Sequence, residues 1–284
     1  MTSTIALRGL QRIRQGATTA LARVTLVDQD GAAAAVVGTL TANLERVDGT
    51  SLATGRATAA GTGTGAYTVT LTAAECATLD VIKVTWIEGT TTRATTFHRI
   101  VGGFMFSIDD LAAKSGMSTV TQAEMIVARD WITDVIEKNT GVAWVPTYDV
   151  EEFFARTSYV HALDRRPVRT VRSVTIDDVA QTVADIDVDR GSGVLSGVTF
   201  HDVCSVGYEH GFDAPPADLR DAALEGARDR VLRTSSGLSD RTRAITNDLG
   251  VTQQFSYPGP GHPTGIDSVD AAIRNHDHRV PGIA

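Results

Sequence analysis

Chemistry needs titratable or nucleophilic side chains brought within reach of one another, and few residues of this sequence are spaced to allow it. His276 and His278 flank Asp277 in a pattern that would ligate a metal. No second cluster at ligand spacing accompanies them, so a solvated surface is the expected setting. The run GTGTG (61–65) has the glycine content of a phosphate loop. That fingerprint needs a strand before it and a helix after it, and here a strand follows, so a hairpin loop is expected. Ser235, Ser236 and Ser239 lack the context of a nucleophile elbow. His98, His161, His201, His210 and His262 are scattered. The acid pairs Asp109–Asp110, Glu151–Glu152 and Asp177–Asp178 are sequence neighbours, and neighbours do not face each other on a helix or a strand. They read as capping or solvated groups. Arg165-Arg166-Pro167 reads as a basic turn into a strand, better placed for an acidic neighbour than for a phosphate. Cys76 and Cys204 read as two small buried residues in different domains, not as a disulfide. No catalytic, cofactor-binding or metal-ligating residue is assigned, and neither an enzyme nor a cofactor is expected.

The chain of 284 residues has room for two ordinary domains. Its 42% hydrophobic and 21% charged residues fit a globular protein. No apolar run reaches the roughly 18 residues of a membrane span, and the start MTSTIALRGLQRIRQG does not read as a secretory leader. Charge is uneven. Residues 1–102 carry nine Lys+Arg against seven Asp+Glu, and residues 103–284 carry 17 against 27, giving the total of −8. An acidic second part argues against wrapping nucleic acid, which requires cations to displace counterions. It is compatible with lining a channel through which DNA slides without sticking.

The elements divide near Gly102–Gly103. Residues 1–102 read as an all-β sandwich, immunoglobulin-like in outline only. Val24 and Leu26, then Leu40, Ala42 and Leu44, then Tyr67, Val69 and Leu71, then Ile82, Val84 and Trp86 recur at period two. Asp48-Gly49 and Glu88-Gly89 supply the hairpin turns. Residues 103–233 read as an α+β domain with a helical core and short strands. Ser107 is a candidate N-cap for a helix over 106–116. Thr121 and Glu124 form a capping box for a helix over 121–141, whose apolar stripe is Met125, Ala128, Ile132, Val135 and Ile136. Short strands are expected at 149–155, 171–177, 182–190 and 198–208. Pro215 and Pro216 open a third helix, to about 233, with the small-residue face Leu219, Ala222, Ala223, Gly226 and Ala227. With Ile132 and Ile136, that face is expected to pack helix on helix, within the chain or between subunits. Residues 234–284 read as an extended arm. Its anchors Phe255, Tyr257, Pro258, Pro260, Pro263, Ile266, Val269 and Ile273 are expected to dock on a neighbouring subunit or a portal.

Residues from about 105 onward resemble the head-to-tail connector, or adaptor, proteins of long-tailed phages. The resemblance rests on FSIDDLAAKSG, on a second helix ending in NTGVAW, on RRPVRTVRSVTID, on VGYEHGFDAPPADLRDAALEGARDRVLR and on HPTGIDSVDAAI, in that order. The chain departs from the family in carrying about 100 residues before this region. The resemblance implies a structural virion protein at the head–tail interface, made in the host cytoplasm. It also implies a ring, usually dodecameric, between the portal protein and tail-side stopper or terminator proteins, with DNA passing unbound through the lumen and no membrane contact. The helices at 106–140 and 215–233 would build the ring wall. The alternative is a binding module whose β-sandwich recognises a glycan or another virion protein, for which Trp86 or Tyr67 would have to be exposed.

Overall fold

Period-two alternation produces the strands it predicts in the N-terminal part of the chain. A computed structural model describes residues 11–28, 30–61, 63–235, 244–246, 252–254, 259 and 262–278. The first eight strands are β1 (Gln11–Arg14), β2 (Thr19–Thr25), β3 (Leu40–Arg46), β4 (Ser51–Ala57), β5 (Ala59–Ala60), β6 (Ala66–Thr72), β7 (Asp80–Glu88) and β8 (Thr91–Val101). Two helices follow, α1 (Ile108–Ala112) and α2 (Gln122–Thr140). Then come β9 (Thr147–Ser158), β10 (His161–Ala162), β11 (Val168–Ile176), β12 (Val179–Ala180), β13 (Asp187–Asp189), β14 (Val194–Ser196) and β15 (Phe200–His210). The chain continues through α3 (Ala217–Ser235), β16 (Ala244–Thr246), β17 (Thr252–Gln254) and α4 (Asp267–Asn275). No helix among the described residues is long and apolar enough to cross a membrane.

The chain folds into two compact units, each made of two segments. The first comprises Met1–Gly103 and Pro146–Gly211; the second comprises Phe104–Val145 and Phe212–Ala284.

In the first unit, β1-β8-β7-β3-β4 form one sheet and β2-β6-β5 another. Their apolar faces share a core that includes Leu44, Leu71, Ile82, Trp86 and Ile100. Asp48-Gly49 turns β3 into β4, and Glu88-Gly89 turns β7 into β8. Gly49 and Gly89 both adopt positive φ, which their missing Cβ permits. The same unit holds the four-stranded sheet β12-β11-β15-β9 and the small sheet β10-β14-β13. These enclose a second core around Val174, Leu195, Phe200, Val206 and Tyr208.

The second unit gathers α1, α2, α3 and α4 on a core containing Leu111, Ile132, Ile136, Ala223, Ala227, Val269 and Ile273. Both expected helix starts are present. Ser107 and Asp110 form a capping box on α1, and Thr121 and Glu124 form one on α2. Gly141 ends α2 in the left-handed conformation at φ 78°.

Two expectations need correction. The second part of the chain is not a helical-core domain carrying a small β element. Among the described residues strand accounts for 42% and helix for 22%. From Thr147 to His210 the regular structure is strand, apart from one turn of 3-10 helix at Val183–Asp185. Capping signals made the helices conspicuous in the sequence, but alternation at Val174 and Ile176, and at Cys204, Val206 and Tyr208, buries a full sheet face. Within the C-terminal segment, Asp267–Asn275 form the helix α4 where an extended arm was expected. Val269, Ala272 and Ile273 fall on one face of α4 and are buried in the helical core. Asp270, fully buried, accepts from Thr264 N (2.9 Å), Thr264 Oγ1 (2.6 Å) and Gly265 N (3.2 Å), which fixes the turn that leads into α4.

Candidate interaction surface

β9 is an edge strand, and its two halves have different surroundings. Its first residues are clamped. Asp149 accepts from Arg99 Nη2 of β8 at 2.8 Å and lies 3.0 Å from His210 Nε2 of β15. Burial alone would raise the Asp149 carboxyl, but the His210 hydrogen bond and the Arg99 charge hold it below the ordinary value. Two residues on, along the same face, Glu151 accepts from Tyr208 Oη (3.0 Å) and Asp164 N (2.9 Å) and meets His161 Nε2 (3.0 Å). Burial and the Glu151 charge push the Tyr208 phenol far up, so it stays a donor at neutral pH. His161 also stacks flat on Phe153, with ring centroids 3.4 Å apart. On the other face Tyr148 and Ser173 crowd Gly207, and a Cβ there would lie 2.6 Å from Ser173 Oγ. Arg172 bonds Glu209 and donates to Leu79 O at 2.7 Å.

Beyond this clamp the sheet opens to solvent. Val150, Glu152, Phe154 and Arg156 alternate along the outer face of β9, all exposed. Phe154 is 69% exposed, and its register partner Val203 on β15 is 56% exposed. Tyr159, Val160 and Val179 add exposed apolar surface in the turn after β9 and at the β11–β12 hairpin. These residues include most of the large apolar side chains exposed among the described residues. A concentration of this kind on one sheet marks an interaction surface. Among the described residues β9 pairs only with β15, so its other edge presents backbone groups outside any ladder, the natural template for an added strand.

The residues singled out in the sequence are distributed differently. Ile132 and Ile136 on α2 and Leu219, Ala222, Ala223 and Ala227 on α3 are buried together within the chain. Gly226 belongs to that contact, since a Cβ on it would meet Ile132 Cδ1 at 2.7 Å. Val269 and Ile273 lie under α4, Ile266 and Pro263 are half-buried, and Phe255, Tyr257, Pro258 and Pro260 fall outside the described residues. His276 bonds Asp218 at 2.8 Å and packs edge-on against Trp144, while His278 N donates to Thr140 O. The described residues contain no group of His, Cys, Asp and Glu able to hold a metal. Gly61, Gly63 and Gly65 line a loop that leads into β6. Cys76 and Cys204 are free, buried and in separate cores, and burial raises both thiols. Trp86 is 0% exposed and Tyr67 is half-buried with its hydroxyl accepting from Val36 N, so neither forms a sugar-binding platform.

Sequence reasoning missed the β9 surface. Its signal was legible: in VEEFFART two aromatic residues stand between charges, so one of them must face outward.

No family model and no curated protein matches the chain. Among solved structures, a chain in the neck of an empty gene transfer agent particle is similar at a TM-score of 0.41 and 14% identity. That match covers 63% of this chain and 92% of the other. A chain in the virion of the native gene transfer agent particle matches with the same values.

Proposed function

We propose that this protein is a structural component of a phage-like virion, a head-to-tail adaptor in the neck. It assembles as a ring between the portal and the tail-side proteins. The observation that carries this reading is the exposed apolar surface around Phe154 and Val203, bordered by an unpaired strand edge. Such a surface suits a subunit built to be covered by other chains. The motif order supplies further support. RRPV leads into β11, VGYEH closes β15, and PPADL opens α3, in the sequence expected of connector proteins. A net charge of −8, set by the acidic second part, suits a lumen through which DNA passes without adhering.

Light scattering on the purified protein, alone and mixed with the portal protein of the same virus, tests the proposal. The expected result is a stoichiometric complex whose added mass corresponds to several copies of the 30.1 kDa chain. A protein that ignores the portal overturns it.

A further inference from the structure

The outer face of β9 carries a self-complementary charge pattern. In chain order it reads Val150, Glu152, Phe154 and Arg156, with Glu152 and Arg156 placed symmetrically about Phe154; the ladder to β15 shifts register after Ala155, and Ser158 pairs with buried Phe200 on the inner face. Among the described residues neither Glu152 nor Arg156 has an ion pair or side-chain hydrogen bond. Arg156 therefore stands beside exposed Phe154 without a partner among the described residues, and Glu152 does the same on the other side.

We propose that the free protein forms a two-fold dimer by antiparallel pairing of β9 with β9 of a second copy, centred on Phe154. An antiparallel strand pair about a two-fold axis places residues opposite each other whose numbers have a constant sum. With Phe154 opposite its own copy, Glu152 of each chain faces Arg156 of the other. Cross-strand opposite charges and aromatic pairs are the stabilising units of such a contact. Val203, the register partner of Phe154 on β15, flanks the axis in both copies and extends the apolar centre. The two four-stranded sheets become one continuous sheet, and the exposed backbone edge from Glu152 to Arg156 is satisfied. A symmetric contact requires self-complementarity of one patch, and a register moved by one residue would set side chains on opposite faces. A register moved by two residues about the axis would separate Glu152 from Arg156, so the charges select this one. The dimer closes the strand edge that a solitary chain leaves open to aggregation.

The test is sedimentation velocity on the full-length protein at tens of micromolar, in low salt. The wild type is expected at twice the 30.1 kDa chain mass. Glu152→Arg and Arg156→Glu each set like charges opposite one another and are expected to weaken the dimer at least tenfold. The double exchange E152R/R156E reverses both signs and is expected to restore it. Phe154→Asp places two like charges on the axis and is expected to give a monomer. All three positions are exposed, and far-UV circular dichroism confirms that each variant keeps its fold. A monomeric wild type overturns the proposal. So does a double exchange that stays as weak as its parents, because the contact then joins two different patches.

Discussion

Within the N-terminal core, His98 Nε2 lies 2.8 Å from Thr96 Oγ1, and Trp86 Nε1 donates to the same oxygen at 2.9 Å. The Thr96 hydroxyl thus bridges the indole and the imidazole. Burial pushes His98 from the ordinary 6.5 down to about 4. The unfolded chain therefore takes up this proton first as the pH falls. Stability is whole above pH 6.5 and declines toward pH 4, by about 3 kcal/mol in total. Asp149 and Glu75, both held below their ordinary values, add losses at still lower pH. Urea unfolding between pH 7 and pH 4 should show the His98 contribution, and His98→Leu should flatten it; an unchanged slope in that variant refutes the assignment. None of this was legible in the sequence, where His98 is one isolated histidine. The same is true of the Asp149 clamp, whose partners lie 50 and 61 residues away.

Elements with strong local signals came out where the sequence placed them. Capping boxes set the starts of α1 and α2, and Asp48-Gly49 turns a hairpin, because each involves residues only a few positions apart. The small-residue face of α3 was legible too, but not its partner, which is α2 of the same chain. That packing carries a testable consequence at Gly226. Replacement by Ala gains about 1 kcal/mol of helix propensity. It also drives a methyl into Ile132, an overpacking that costs about 1–3 kcal/mol. Gly226→Ala is therefore expected to destabilise the wild type and to stabilise the Ile132→Ala background. Thermal unfolding of the four proteins of this cycle reads the coupling; additive effects would show that the two side chains do not meet.

At the scale of the molecule, charge rather than fold predicts behaviour toward DNA. A net −8 leaves no excess of cations to release counterions from phosphates. Gel retardation with duplex DNA at about 50 mM salt, where phosphate binders hold tightest, is expected to show no complex. Salt-sensitive binding would mean that a local basic patch outweighs the total. The composite make-up of both units follows from where the chain crosses between them. It leaves the first unit after Gly103, returns at Pro146 and leaves again after Gly211. Chain order therefore does not correspond to spatial grouping.

The sequence by itself determined what depends on neighbours along the chain: alternation, caps, turns, the charge asymmetry and the order of motifs. Only the tertiary structure decided what depends on distant residues. It placed the strands of Thr147–His210 in the same compact unit as the N-terminal strands, and it tucked α4 beneath α2 and α3. It also clamped one end of β9 while leaving Phe154 and Val203 in solvent. The physical reason is that burial is a property of pairs of faces. A strand's pattern shows that one face must be covered, but the element that covers it lies elsewhere in the chain.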